Sequence, residues 1–153
     1  MQLLKLTRSE QTYRALNPLG DPFRYEPDVD RNLEIIGLVL WATEGDRTQI
    51  SLANGNPNII LKYLKFLRLI CNFNEKKIKC VIHCHDTLSY EECIRYWSKL
   101  TGISRNKFRK PFIKKDKGGT RKYPYGICRI VASNIKLVQI FNQRLESLGL
   151  GRN

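Results

Sequence analysis

Ile35-Ile36-Gly37-Leu38-Val39-Leu40-Trp41-Ala42 is the stretch that decides the fold, because it is the longest uninterrupted apolar run in the chain. It lies inside a predicted helix of about Arg31 to Thr43, which is therefore apolar on every side over two turns. A helix without a polar face packs inside a core or against a partner helix. The run is far shorter than the roughly 20 residues that span a bilayer, so no membrane partner is expected.

Strand and helix patterns alternate after this helix. Residues 47–52 alternate polar and apolar side chains, which predicts a half-buried strand. The turn Asn54-Gly55-Asn56-Pro57 ends that strand, and Asn56 is placed to cap a helix that begins at Pro57 and continues to about Cys71.

The second half of the chain continues the alternation. Residues 77–85 form the clearest strand pattern, and a capping box at Ser89 opens a helix that ends near Gly102. A short second helix is expected from Ser104. A strand near residues 125–132 and a helix over about residues 134–148 complete the order.

Each predicted strand has one apolar face and one polar or basic face, so the helices are expected to cover a single side of the sheet. The predicted class is α+β, with a curved antiparallel or mixed sheet. Long polar side chains on a bare sheet face can enter a major groove, as a β-ribbon does. The expected bare side carries Arg47, Gln49, Ser51, Lys77, Lys79, His83, His85, Ile127 and Arg129.

The net charge is strongly positive and unevenly distributed. The chain has 153 residues and a formal net charge of +13. Residues 1–46 hold five basic and eight acidic residues, whereas residues 47–153 hold 22 and six. A positive field of this extent favours a polyanionic partner, because each Lys or Arg that meets a phosphate releases a counterion. A ribosome-associated protein, or a merely basic soluble one, is the alternative.

Two segments stand apart from the central pattern. Residues 1–31 contain three prolines and little periodicity, which predicts an extended arm before a single domain over residues 32–153. Residues 89–122 form a basic insert with a helix-turn-helix-like pattern. It suits a clamp on the DNA backbone, and a solvated loop is the alternative. Its predicted DNA contacts are Arg105, Lys107, Arg109, Lys110, Lys114, Lys115, Lys117, Arg121 and Lys122.

The five cysteines follow no disulfide-framework spacing, and their number is odd. The start of the chain also lacks a secretory signal pattern. An intracellular, reducing location is therefore expected, in the cytoplasm, the nucleoid or an organelle matrix. Alternation along the strand directs Cys80 and Cys84 away from His83 and His85, which argues against one tetrahedral zinc ion.

Glu44 is the first candidate for chemistry. It ends the apolar helix, where its carboxylate meets the negative end of the helix dipole. A divalent cation would reverse the sign of that interaction, since the helix-end carbonyls and the carboxylate would all be ligands. The alternative is a solvated glutamate before a helix-ending Gly45.

The stretch from Gly37 to Gly45 resembles the LAGLIDADG motif of homing endonucleases. The elements downstream strengthen the resemblance to the compact bacterial and phage branch of that family. They are the predicted strand, the Asn-Gly-Asn-Pro turn, the following helix, residues 96–103 (Tyr-Trp-Ser-Lys-Leu-Thr-Gly-Ile) and residues 124–126 (Pro-Tyr-Gly).

The resemblance implies a saddle-shaped sheet on double-stranded DNA and a metal-dependent cut at a near-palindromic site. Glu44 matches the metal-binding acid, the Thr43 carbonyl matches the backbone ligand, and Asn54 lies near a catalytic polar position. Mg²⁺ or another divalent cation such as Mn²⁺ is the implied cofactor, with no organic cofactor. One motif per chain implies a homodimer. The motif-helix residues expected at its interface are Ile36, Gly37, Leu40 and Trp41.

A DNA-binding regulator that does not cleave, or an intron RNA maturase, is the alternative on the same fold. Glu44 favours the endonuclease, because family members that lost the acid act in these other ways.

Overall fold

A four-stranded mixed sheet and four helices build an α+β fold in the computed structural model, which describes residues 4–7, 12–16, 22–115 and 123–151. The sheet contains β4 (Leu52–Asn54), β5 (Lys79–His85), β6 (Phe112–Lys114) and β7 (Ile127–Val131). Their spatial order is β4-β7-β5-β6. β7 is antiparallel to both of its neighbours, whereas β6 is parallel to β5. The predicted α+β class and mixed sheet are confirmed.

The predicted apolar helix is α1 (Arg31–Glu44), and Asp30 caps it by accepting a hydrogen bond from the Leu33 amide. One face of α1 is buried, but the other is not. Ile35 and Ile36 are 37% and 41% exposed. They form an outer apolar stripe with two half-buried residues one turn further on, Val39 and Leu40.

The inner face of α1 packs on α2 (Pro57–Leu69) at Gly37. A Cβ atom at position 37 would lie 2.1 Å from Cγ of Phe66, so only glycine allows the two helices this approach. Trp41 is fully buried beside this crossing, with its ring 5.0 Å from that of Phe141. Its indole N–H donates to the Gln49 carbonyl at 2.7 Å.

The remaining helices agree with the sequence analysis. Asn56 caps α2 as predicted, with Pro57 at the first helical position. The Ser89 hydroxyl caps α3 (Tyr90–Thr101), and Gly102 ends it in the left-handed conformation at φ 76°. Asn134 caps α4 (Ile135–Ser147).

The prediction of a strand over residues 47–52 is wrong, because the strand β4 begins only at Leu52. Asp46 accepts hydrogen bonds from both the amide and the hydroxyl of Thr48, and the Gln49 amide donates to the Asp46 carbonyl. These bonds hold a turn after α1 that the alternating pattern did not reveal. Within this stretch, the Ile50 amide and the Ser51 hydroxyl both donate to the Ala132 carbonyl.

The helix-turn-helix prediction is also wrong for the described part of the insert. Residues Arg105–Lys107 make one 3₁₀ turn instead of a second α-helix. The chain then runs beside β5, where the Arg109 amide donates to the Cys80 carbonyl, and it forms β6. Cys93 and Trp97 of α3 are almost fully buried, so this helix belongs to the core. Residues 116–122 lie outside the described residues.

The predicted irregular arm instead contains three antiparallel strands: β1 (Leu4–Thr7), β2 (Thr12–Leu16) and β3 (Pro22–Tyr25). Phe23 and Tyr25 are buried in the main core. Proline is tolerated at the first residue of a strand, which is the place of Pro22 in β3. The prolines in this region hid the strand pattern.

A buried ion pair ties β3, α1 and α4 together. Glu34 is 1% exposed and accepts two hydrogen bonds from the Arg144 guanidinium, at 2.6 and 2.9 Å. The Tyr25 hydroxyl donates to the same carboxylate at 2.7 Å. A buried charge is tolerated when it is paired and hydrogen-bonded in this way. Within the described ranges, none of the helices is both long and apolar enough to cross a membrane.

We predict that Gly37→Ala lowers the free energy of unfolding by about 1–3 kcal/mol, the usual cost of overpacking a core. The added methyl group would collide with the Phe66 ring. Urea denaturation measures the change. Asn32→Ala, at an exposed position of the same helix, is the control and should stay within about 0.5 kcal/mol of the wild type. Equal stability of Gly37→Ala and wild type would contradict the helix crossing.

Candidate functional site

The side of the sheet that is turned away from the helices is an open face. Strand pairing sets its composition, because paired residues of neighbouring strands point to the same side. The open face consists of Ala53, Lys79, Val81, His83, His85, Phe112, Lys114, Ile127, Arg129 and Val131. The predictions that Lys79, His83, His85, Ile127 and Arg129 share one face are therefore confirmed.

Basic and apolar residues are interleaved on the open face. Arg129 pairs with Val81, and His85 pairs with Lys114. Between them, His83 pairs with Ile127 on one side and Phe112 on the other. The rings of His83 and Phe112 are 5.2 Å apart.

The pKa of His83 is lowered by its surroundings on this surface. Burial lowers the pKa of the His83 imidazole, and the charges of Arg129 and Lys114 lower it further. The imidazole is therefore neutral at pH 7, so it presents one hydrogen-bond donor and one acceptor.

Four residues predicted for this face do not lie on it. Ser51 is 1% exposed and bonds the Ala132 backbone, and Gln49 lies in the turn before β4. Arg47 lies over the Trp41 ring at 4.9 Å and donates to the Asn142 side chain. Lys77 precedes β5, in a 3₁₀ turn. Three of these predictions are wrong because β4 begins at Leu52 and not at residue 47. The prediction for Lys77 is wrong because β5 begins only at Lys79.

The basic residues of the insert are spread over different surroundings. Arg105 forms an ion pair with Glu91, and the Lys107 ammonium donates to the Glu75 carbonyl at 2.9 Å. Both side chains therefore have protein partners. Lys114 lies on the open face, and three more basic residues are exposed: Arg109, Lys110 and Lys115. Lys117, Arg121 and Lys122 are outside the described residues.

Glu44 and Asn54 come together at the end of α1. The Asn54 side-chain amide donates to the Glu44 carboxylate at 3.4 Å, and Glu44 remains exposed. Gly45 forms a β-bridge with Leu52, which sets the helix end directly beside β4. Two residues beyond Glu44, the Asp46 carboxylate lies 4.0 Å from Arg129 of the open face. The acidic helix end thus adjoins the basic face.

The atoms at this helix end that could bind a metal ion are all oxygens. They are the Glu44 carboxylate and the last carbonyls of α1, including that of Thr43, which lack partners inside the helix. Mg²⁺ prefers this chemistry and binds through one or two carboxylates, substrate phosphates and water. In the part of the chain that the structure describes, no three acidic, histidine or cysteine side chains are grouped for a metal ion. The Glu44 carboxylate and the Thr43 carbonyl are oxygen ligands of the kind that a hard cation prefers.

Of the four residues predicted at the dimer interface, two are accessible in the single chain and two are not. Gly37 and Trp41 are wrong as interface residues, because both face the core of their own chain. The bulk of Trp41 therefore does not obstruct an approaching helix. Ile36 and Leu40 belong to the outer stripe and remain accessible.

Sequence reasoning missed Phe112 as a member of the open face and Asp46 as the link to Arg129. The Phe-Ile-Lys pattern at residues 112–114 has the alternation of a strand and was a usable signal. The insert was instead interpreted as a helix pair and a loop. The contact between Asp46 and Arg129 joins residues that are far apart in the chain, so sequence spacing does not predict it.

Comparisons with protein-family models, with curated proteins and with solved structures gave no match for this chain.

We predict that Arg129→Gln raises the pKa of His83, because it removes one of the two positive charges that oppose protonation. The pKa is measured by NMR titration of the imidazole ring. Lys76→Gln removes an exposed lysine that does not act on His83 and serves as the control. The same His83 pKa in wild type and Arg129→Gln would contradict the arrangement of the open face.

Proposed function

We propose that this protein is a homodimeric, site-specific double-stranded DNA endonuclease of the LAGLIDADG type. It hydrolyses phosphodiester bonds at a near-palindromic site with Mg²⁺ or a similar divalent cation. One observation carries the proposal: Glu44 ends the outer stripe of α1, accepts from the Asn54 amide, and is followed two residues later by Asp46, whose carboxylate lies 4.0 Å from Arg129 of the open face.

The open face supplies the DNA-binding part of the proposal. Five of its ten residues are lysine, arginine or histidine, in a chain of net charge +13. Phosphate contacts from such residues position a protein on DNA, and contacts to base edges give sequence selectivity. Arg109, Lys110 and Lys115 are exposed on the adjoining segment and extend the basic surface.

The outer stripe supplies the dimer. Ile35, Ile36, Val39 and Leu40 present an apolar strip that helix-to-helix packing with a second copy would bury. A twofold axis through this strip repeats each contact in both protomers. The two Glu44 carboxylates, at the same end of the two helices, would then face the two strands of one duplex.

Each residue at the helix end has a role in the proposed reaction. The Glu44 carboxylate and the Thr43 carbonyl would hold the cation, and Asn54 orients the carboxylate by its hydrogen bond. The chemistry that such a cation would supply is activation of a water molecule and stabilisation of the charge on the departing oxygen. In the proposed complex, the open face would bind the duplex whose phosphates complete the cation site.

A reducing, intracellular compartment is part of the proposal. All five cysteines are free and buried, which supports a chain that does not depend on disulfides. Cys80 and Cys128 neighbour each other in the core, as do Cys84 and Cys93.

We predict that Glu44→Gln abolishes cleavage and leaves DNA affinity unchanged or higher, because it removes the charge that holds the cation and relieves repulsion of phosphate. The measurement is cleavage selection from a randomised duplex library with Mg²⁺, followed by binding assays on the selected site. Glu146→Gln, at an exposed position in the last turn of α4, is the control and should cut normally.

Cleavage by Glu44→Gln at the wild-type rate would refute the metal assignment. Sequence-selective binding without cleavage by every variant would favour the alternative, a non-cleaving DNA-binding regulator. Preference for intron RNA over duplex DNA would favour the maturase.

We predict that Ile36→Asp converts a dimer into a monomer, because it places a charge in the apolar strip between the two helices. Sedimentation with and without DNA measures the mass against the 17.9 kDa of one chain. Ile135→Asp, at an exposed isoleucine of α4, is the matched control and should remain dimeric. A wild-type protein that stays monomeric at high concentration and on DNA would contradict the dimer.

A further inference from the structure

The centre of the open face carries an apolar row that phosphate binding does not require. Ile127, His83 and Phe112 lie side by side on β7, β5 and β6, in direct register. Phe112 is 53% exposed, and its ring centroid lies 5.2 Å from that of the His83 imidazole. The row is therefore a small ridge of two apolar side chains with an imidazole between them, and it reaches the surface at Phe112.

Positive charges lie on both sides of this ridge. Arg129 is paired with Val81 and Lys114 is paired with His85, so the two charges lie one pair before and one pair after His83 along β5, on different neighbouring strands. A matching partner has negative charge on either side of a small apolar group. In the DNA major groove, the 5-methyl group of thymine is such a group, between two phosphate backbones.

Strand geometry matches the spacing of bases. Residues on one face of a strand repeat about every 6.6 Å, which is close to two base-pair steps of about 3.4 Å. Lys79, Val81, His83 and His85 follow one another at this interval along β5. A strand lying along the groove thus brings the apolar row to one position in each half-site.

We propose that Phe112, supported by His83 and Ile127, determines specificity by contacting the 5-methyl group of a thymine in each half-site. This inference rests on the proposed duplex-binding function and names the base that the open face selects.

The test removes the methyl group and the ring separately. Each thymine of the selected duplex is replaced in turn by uracil, and affinity is measured with EDTA present so that cleavage does not interfere. At one thymine per half-site, wild type should lose about fourfold in affinity, the factor expected for one buried methyl group. Phe112→Ala should bind the thymine and uracil duplexes equally at that position.

The same strand offers a matched control. Ile113 is 54% exposed but pairs with Cys84, so it points to the opposite side of the sheet. Ile113→Ala should therefore keep the full preference for thymine. A double-mutant cycle that combines the thymine-to-uracil change with Phe112→Ala, or with Ile113→Ala, measures the interaction between the methyl group and that side chain.

Three outcomes would overturn the inference. If wild type selects and cuts a site but no uracil substitution weakens binding, the thymine contact fails while the proposed function stands. If Phe112→Ala mainly weakens binding to the single-stranded form of the site, the ring stacks on unpaired bases instead. If wild type selects no duplex, the proposed function and this inference fail together.

Discussion

The contact between Gly37 and the Phe66 ring is the constraint on which the rest of the site depends. It sets the depth of α1 in the core and thereby decides which of its apolar residues are covered. Trp41 is directed inward, and Ile36 is left outside. The same depth brings Gly45 to β4 and Glu44 within reach of Asn54. Because glycine has no side chain, its presence at position 37 determines the positions of both the outer stripe and Glu44.

Local signals predicted most of the fold because each acts over a few residues. Asn56, Ser89 and Asn134 cap three helices at or next to the expected positions. Alternation along residues 79–85 separated the buried cysteines from the histidines correctly. The contact between Glu44 and Asn54 has no local signal, since ten positions and a turn separate the two residues in the chain.

What the sequence did not reveal depends on tertiary neighbours. A helix that is apolar all round has no pattern to show which side faces its own core, so Gly37 and Trp41 were assigned outward. The alternation at residues 47–52 is real, but the hydrogen bonds that Thr48 donates to the Asp46 carboxylate hold a turn there instead of a strand. Phe112 joined the open face through parallel pairing with β5, a long-range contact that composition does not predict.

The strand order has a consequence for how the chain assembles. β7 lies between β4 and β5 and pairs with both, yet it is the last strand in the chain. During synthesis β4 and β5 emerge with no pairing between them, and their edges stay open until residues 127–131 arrive. Non-local pairing of this kind slows folding, and open strand edges can pair with other chains in the interval. The middle strand of the sheet is thus the last of its four strands to be synthesised, and it joins β4 to the pair formed by β5 and β6.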